Sequence, residues 1–361
     1  MAKKKSKKTA PRKLLPFTDA IKKSEEVGGR RHLLLGNGFS IALFPSFFTY
    51  GTLFDRAKRS GDLPKRIQDV FDLLGTTDFE KVMEALQVAS QMVQMYSKKS
   101  PKLAAKLAED AAKLRDVLAD TISANHPERP HEIAKEQYAS CKRFLTNFEN
   151  GSIYTLNYDL LLYWTLMQSE VQPDVSSDDG FRDSENGEDY VVWEVQNSDR
   201  QRVFYLHGAL HIYDAGHELK KFVWSKTEIA LVDQIRQSLA KREYPIVVTE
   251  GTAEQKLDRI QHSGFLNRAY RSFSSIGGSL FIYGHSLAPN DEHLLELIDN
   301  GKLRAVFVGI YGDPDSATNK DVIRRAMKFS TRRGNRRPVD VHFYDAASAK
   351  VWDGEPDEEE G

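Results

Sequence analysis

Four short clusters carry the residue types that do chemistry: Gly36-Asn37-Gly38-Phe39-Ser40, Thr155-Leu156-Asn157-Tyr158-Asp159, His207-Gly208 and Tyr283-Gly284-His285-Ser286. Asn157 offers a carboxamide that can hydrogen-bond a sugar hydroxyl or orient an attacking water, with Asp159 two residues on to hold the loop or a ribose. His207 offers an imidazole that, titrating near neutrality, accepts a proton from such a hydroxyl or water. The Gly36-Asn37-Gly38 turn, if it opens a helix, presents backbone N–H groups and the Ser40 hydroxyl to a pyrophosphate. Gly284, His285 and Ser286, with Asn290 and Asp291 after Pro289, form a second turn suited to a phosphate or a ribose. Glu250-Gly251 is a fifth position where a carboxylate could meet ribose hydroxyls.

Each cluster also has a plainer reading. Gly36-Asn37-Gly38 lacks the full glycine spacing of a dinucleotide fingerprint, and alone signifies a tight turn after a strand. Asp159 can cap the helix that begins near Leu160. A lone histidine such as His207 is often structural, and Glu250 can be part of a simple strand-end turn. His207, His211 and His217 together raise the question of metal, but a His-x3-His spacing suits a helix, whereas Leu206 to Tyr213 has strand character; no metal is expected.

What links the clusters is the kind of segment that precedes each. Arg31 to Leu35 reads as a buried strand. Strand signals return at Ser152–Thr155, Val203–Leu206, Tyr244–Val248, Leu280–Tyr283 and Ala305–Val308, and Val339–Tyr344 reads as an edge strand. Helical patterns, notably Glu254–Ser274 and Glu292–Asn300, separate most of them, and such alternation predicts a parallel sheet covered on both faces. A doubly wound sheet of this kind brings strand-end residues to one crevice. Between Gln168 and Arg202 clustered Asp, Ser, Gly and Asn indicate a loop, or a small hairpin around Tyr190 to Trp193. From Phe54 to Phe148 the period is helical: Phe79, Val82, Met83, Leu86, Ala89 and Val93 repeat on one face, and Lys102 to Leu118 is rich in strong helix formers.

The expected organisation is therefore a basic head and lead-in over 1–28, an α/β domain from 29–53 and 149–347, a helical insertion over 54–148, and an acidic tail over 348–361. At 361 residues there is ample chain for a large core. A net charge of -1 gives no global pull toward nucleic acid or anionic lipid. The asymmetry is terminal: Lys3, Lys4, Lys5, Lys7, Lys8, Arg12 and Lys13 at one end, Asp357 to Glu360 at the other, and both ends are expected to be disordered. Cys141 is the single cysteine, which rules out an intrachain disulfide and a multi-cysteine zinc site. No run approaches the roughly 20 apolar residues of a membrane span. A cytoplasmic protein without membrane or nucleic-acid partners is the expectation.

The order glycine-rich turn, Thr-x-Asn-x-Asp, His-Gly, then Gly-x-Ser resembles the sirtuin-like domains of bacterial antiphage NAD hydrolases. The resemblance runs from Gly36 to Asp291 and implies a Rossmann-like sheet that binds NAD, with Asn157 and His207 catalytic and Asp159 supporting them. Gly36, Asn37, Gly38 and Ser40 would lie near the phosphates, with Thr155, Gly208, Gly284, His285, Ser286, Asn290, Asp291 and Glu250 completing the nucleotide site. The four zinc cysteines of deacetylating sirtuins are absent, and Phe39-Ser40-Ile41-Ala42 replaces their Pro-Asp-Phe-Arg segment, so deacylation is not implied. An NAD-depleting effector also implies restraint, through homo-oligomerisation or a separately encoded sensor. The alternative within the same resemblance is a catalytically silent subunit that binds NAD or ADP-ribose.

Overall fold

A computed structural model describes residues 14–45, 53–77, 79–97, 100–123, 127, 129–184, 188, 190–216, 218–223, 230–241, 243–248, 252–331 and 338–354. The two charged ends, His217 and Glu250 lie outside these.

The strands, in chain order, are β1 (Arg31–Leu35), β2 (Ile153–Thr155), β3 (Phe181–Asp183), β4 (Tyr190–Trp193), β5 (Val203–Tyr205), β6 (Gly208–Asp214), β7 (Leu219–Phe222), β8 (Tyr244–Val247), β9 (Gly277–Tyr283), β10 (Lys302–Ile310) and β11 (Asp340–Asp345). Six of them form one sheet in the order β5-β2-β1-β9-β10-β11, with every neighbouring pair parallel. Counted within that sheet the order is 3-2-1-4-5-6, the Rossmann arrangement, whose direction of winding reverses between β1 and β9. The expected Rossmann-like doubly wound α/β fold is the fold observed.

Side-chain alternation divides the core into two layers. Leu33 and Leu35 of β1 face a cluster with Phe17, Phe144, Phe148, Phe281 and Phe307, while Leu34 faces one with Tyr154, Phe204, Phe273, Ile282, Leu294 and Val306. Helices Phe17–Val27 and Lys135–Thr146 cover the first face, and Gly264–Ser275, Glu292–Asn300 and Ala317–Ala326 cover the second. Both faces are thus buried, which is why the strands read as continuous apolar runs.

Between β1 and β2 stand helices Leu53–Ser60, Lys65–Leu74, Phe79–Tyr96, Pro101–Ser123 and Lys135–Thr146. Phe79, Val82, Met83 and Leu86 are buried along the third of these, whereas Ala89 and Val93 are half-buried. Ser90 Oγ donates to Ala104 O at 2.7 Å, clasping the two long helices together.

One expectation needs correction. Tyr244–Val248 does not join the parallel sheet. As β8 it is the edge of a second, antiparallel sheet in the order β3-β4-β7-β6-β8. Pro245 lacks the N–H that an interior strand must donate, so an edge is the place it can occupy. The loop around Tyr190–Trp193 is part of this same small sheet.

Candidate functional site

The crevice lies where the winding reverses, beyond the carboxyl ends of β1 and β9. There the loops after the two strands interlock. Gly36 N–H donates to Tyr283 O at 2.9 Å, and Gly38 N–H donates to Gly284 O at 2.8 Å. A Cβ on Gly36 would sit 2.7 Å from the His285 Cβ, and one on Gly38 would sit 2.5 Å from the Gly284 Cα. The glycines of both clusters are therefore explained first by backbone meeting backbone. Phe39 N–H and Ser40 N–H are also paired, with Gly36 O and Asn37 O. This corrects the expectation of a phosphate cradle: the N–H groups of Gly36, Gly38, Phe39 and Ser40 already have partners within the fold.

Gly284 adds a positive φ of 71° to its close contact of 2.6 Å between a would-be Cβ and Phe39 N. Gly284→Ala is expected to cost more than about 2 kcal/mol in urea unfolding, left-handed strain alone accounting for ~1–2. Gly216 has φ 83° but open space around it, so Gly216→Ala isolates the strain. Equal losses in the two variants would contradict the interlock.

On the β2 side, β2 ends at Thr155 and its alternation stops there. Thr155 Oγ1 accepts the Asn157 N–H at 3.0 Å, turning the chain. Asn157 Nδ2 donates to Gly36 O at 3.1 Å and to Ser40 Oγ at 2.9 Å. Gly36 O can only accept, so the orientation of the amide is fixed and its Oδ1 is the polar atom left over. Ser40 Oγ in turn donates to Asp159 Oδ2 at 2.5 Å, and Asp159 Oδ1 accepts the Leu161 N–H at 3.0 Å. Ser40 is fully buried and Thr155 nearly so. Both stand behind the crevice wall as supports for Asn157, rather than on it as ligand contacts.

Burial pushes the Asp159 carboxyl up to about 6, against the opposing hydrogen bonds from Ser40 and Leu161. The folded chain thus holds this proton more tightly than the unfolded chain does. Stability from this group is greatest below pH 4 and falls as pH rises toward 6, by ~3 kcal/mol in all. Asp159→Asn should flatten the pH 4–6 slope of unfolding free energy relative to the parent, and parallel slopes would refute the assignment.

On the far side, His207 sits in the two-residue turn where the chain leaves β5 of the large sheet and enters β6 of the small one. Gly208 follows with φ 73°, pressed against Ile246 O of β8, and takes no place on the crevice wall. The His207 and His293 rings meet edge to edge, their planes 20° apart and their Nε2 atoms 3.4 Å apart, and Asp291 Oδ1 is 4.0 Å from His207 Nε2. Asp291 is the hub: Oδ1 accepts from Lys256 Nζ at 2.8 Å and Oδ2 from His285 Nε2 at 3.0 Å. The Leu287 N–H donates to His285 Nδ1 at 3.1 Å, which leaves the His285 proton on Nε2.

Burial, then the Lys256 ammonium, pushes His207 down to about 3. That corrects a second expectation, since the imidazole is neutral throughout the physiological range instead of titrating near 7. Burial lowers His293 to about 4. It would raise Asp291, but the His285 hydrogen bond, the surrounding imidazoles and Lys256 outweigh it and hold the carboxylate ionised. Among the described residues no group of three or more His, Cys, Asp or Glu is disposed to hold a metal ion. His211 lies apart from His207, stacked on Tyr163.

The two sides enclose one crevice of about 580 Å³, within the range of small-molecule sites. Of the residues expected from sequence, Asn37, Gly38, Asn157, Asp159, His207, Gly284, His285, Ser286, Asn290 and Asp291 line it. Gly36 stands behind the wall with Ser40 and Thr155.

Over residues 33–352 the sequence matches the family described as Domain of unknown function (DUF4917). The chain belongs to the DUF4917 family. No curated protein matches it. A solved chain from "Structural Basis for the Mechanism and Regulation of Sir2 Enzymes" aligns with 92% of this chain and 95% of its own length, at 12% identity and a TM-score of 0.35. The fold assignment rests on the strand order above.

The DUF4917 match spans every crevice residue, including several that sequence reading did not single out. Asp55 and Arg56 come from the helices between β1 and β2, and Thr318, Asn319 and Val322 from the helix Ala317–Ala326. Lys256 on the wall and His293, bonded behind it to His207, are the larger omissions. Lys256 belongs to an otherwise charged helix and reads as solvated, yet it is only 4% exposed. Among the described residues no helix is long and apolar enough to cross a membrane.

Proposed function

We propose that this chain is an NAD glycohydrolase, with water, Asn157 and His207 acting on the bond between nicotinamide and ribose. NAD+ and water give nicotinamide, ADP-ribose and a proton. Heterolysis leaves oxocarbenium-like charge on the ribose while nicotinamide departs neutral, so no acid is required for the leaving group. What the protein supplies is placement of the sugar and of the incoming water. The observation that carries the reading is the Asn157 carboxamide. Both of its N–H bonds are committed to Gly36 and Ser40, and it lines the same crevice as a neutral His207 at the winding reversal of a Rossmann-like sheet.

The roles of the individual side chains follow from their bonds. Asn157 accepts from a ribose hydroxyl or the attacking water. His207 hydrogen-bonds the sugar without taking up a full charge, because a proton on it is disfavoured by burial and by Lys256. Asp159 holds Asn157 in place through Ser40. The residue-level resemblance to sirtuin-like domains supports the further reading of an NAD-depleting effector of antiphage defence, restrained by oligomerisation or by a separate sensor protein.

Chromatography of NAD incubated with the protein, alone and with candidate activators, tests the proposal. Nicotinamide and ADP-ribose appearing in equal amounts is the expected result, and intact NAD under every condition would refute it. The low basicity of His207 favours one second reading, a subunit that binds NAD or ADP-ribose without cleaving it. Calorimetry would then show binding with no nicotinamide released.

A further inference from the structure

Two neutral imidazoles with their Nε2 atoms 3.4 Å apart share one proton between those atoms, and the surroundings decide which ring carries it. His293 is 4% exposed, and its Nδ1 is fully buried with no hydrogen-bond partner among the described residues. If His207 carried the shared proton, the proton of neutral His293 would fall on that Nδ1. A buried N–H would then have no acceptor, an arrangement rarer and less favourable than a bare buried acceptor. The reverse assignment leaves His293 Nδ1 bare and sends the Nε2–H of His293 to His207 Nε2.

We infer that His293 is a positioning residue: by donating its Nε2–H to His207 Nε2 it fixes His207 as the Nδ1–H form, which turns a hydrogen-bond donor toward the crevice. His207 lines that crevice, and its Nδ1 makes no bond to the described residues. The tautomer gives the site a defined polarity. Asn157 Oδ1 is an acceptor and His207 Nδ1–H is a donor. Their joint complement is a group that donates and accepts at once, which among common ligand groups is a hydroxyl or a vicinal pair of hydroxyls. This deepens the glycohydrolase reading and rests on it where it names the ribose diol as the group held. It also makes His207 an anchor for sugar oxygen rather than the base that removes its proton.

Long-range proton–nitrogen NMR of the full chain with 15N-labelled histidine reads the tautomer directly. The parent and His293→Gln, whose side-chain amide can donate to the same nitrogen, should show His207 protonated on Nδ1. His293→Phe, which keeps a ring but loses the donor, should shift His207 toward the Nε2–H form. In the same proteins NAD turnover should show kcat lowered about tenfold by His293→Phe, the worth of one hydrogen bond, and restored by His293→Gln. His207 protonated on Nε2 in the parent, or a tautomer unmoved by His293→Phe, overturns the inference whatever the turnover. A parent with the Nδ1–H form that leaves NAD intact upholds the tautomer and refutes the glycohydrolase reading alone.

Discussion

Asn157→Asp is expected to remove NAD turnover by about 10²-fold or more while changing the side chain by a single atom. The aspartate would place an oxygen where Nδ2 now donates, 3.1 Å from Gly36 O and 2.9 Å from Ser40 Oγ. Gly36 O would lose one of its two donors, keeping only the Phe39 N–H, and a second carboxylate would press on a serine whose proton already goes to Asp159. The loop after β2 must move to relieve that, and the leftover acceptor atom moves with it. Asn157→Ala should remove turnover equally but for a different reason, since it deletes the acceptor itself. It also removes the bonds to Gly36 O and Ser40 Oγ, at a net stability cost of about 0.5–1.5 kcal/mol each, Gly36 O keeping the Phe39 N–H. His207→Ala is expected to abolish turnover too. Nicotinamide release by chromatography reads all three, and an Asn157→Asp protein that keeps a tenth of parental turnover under activating conditions would end the assignment.

The second large effect concerns stability. Asp291→Ala removes the only carboxylate bonded to Lys256 among the described residues and takes the acceptor from His285 Nε2. A buried ammonium without its partner costs about 3–5 kcal/mol. Asp291→Ala should therefore lower the urea midpoint far more than an exposed substitution does. Lys256→Met combined with Asp291→Ala should recover much of the loss, because methionine fills the lysine stem without its charge. If the single variant is within 1 kcal/mol of the parent, or the double variant is worse than the single, the hub described for Asp291 is wrong. Turnover should fall in both variants, since the same carboxylate lies 4.0 Å from His207 Nε2 and holds His285.

How far the site was legible in the sequence depends on what each residue needed. Asn157, His207 and Gly284 announced themselves because each ends a strand, and a parallel sheet carries such ends to one edge. The contiguous Leu33, Leu34 and Leu35 gave away a strand buried on both faces, although only the fold shows them facing two different layers. The glycine turns were correctly placed and wrongly employed. Their N–H groups look available until the loop after a strand nearly 250 positions later is laid across them, as Gly38 bonded to Gly284 shows. Ser40 was read as pointing outward because nothing local says that Asp159 lies behind it. His293 and Lys256 were missed for the same reason: each takes its meaning from Asp291 and His207, on other elements. Pro245 was the one local signal passed over, and it alone would have set β8 at an edge.

The two-residue passage from β5 to β6 has a mechanical consequence. Asn157 is bolted to the large sheet through Gly36 and Ser40, whereas His207 rides at the joint, its carbonyl accepting the Val248 N–H at 2.8 Å just past β8. A tilt of the small sheet would swing the imidazole and leave the carboxamide standing. Anything that grips β8 or the helix Leu231–Ala240 beside it would therefore bear on the His207 imidazole through the backbone, from outside the crevice.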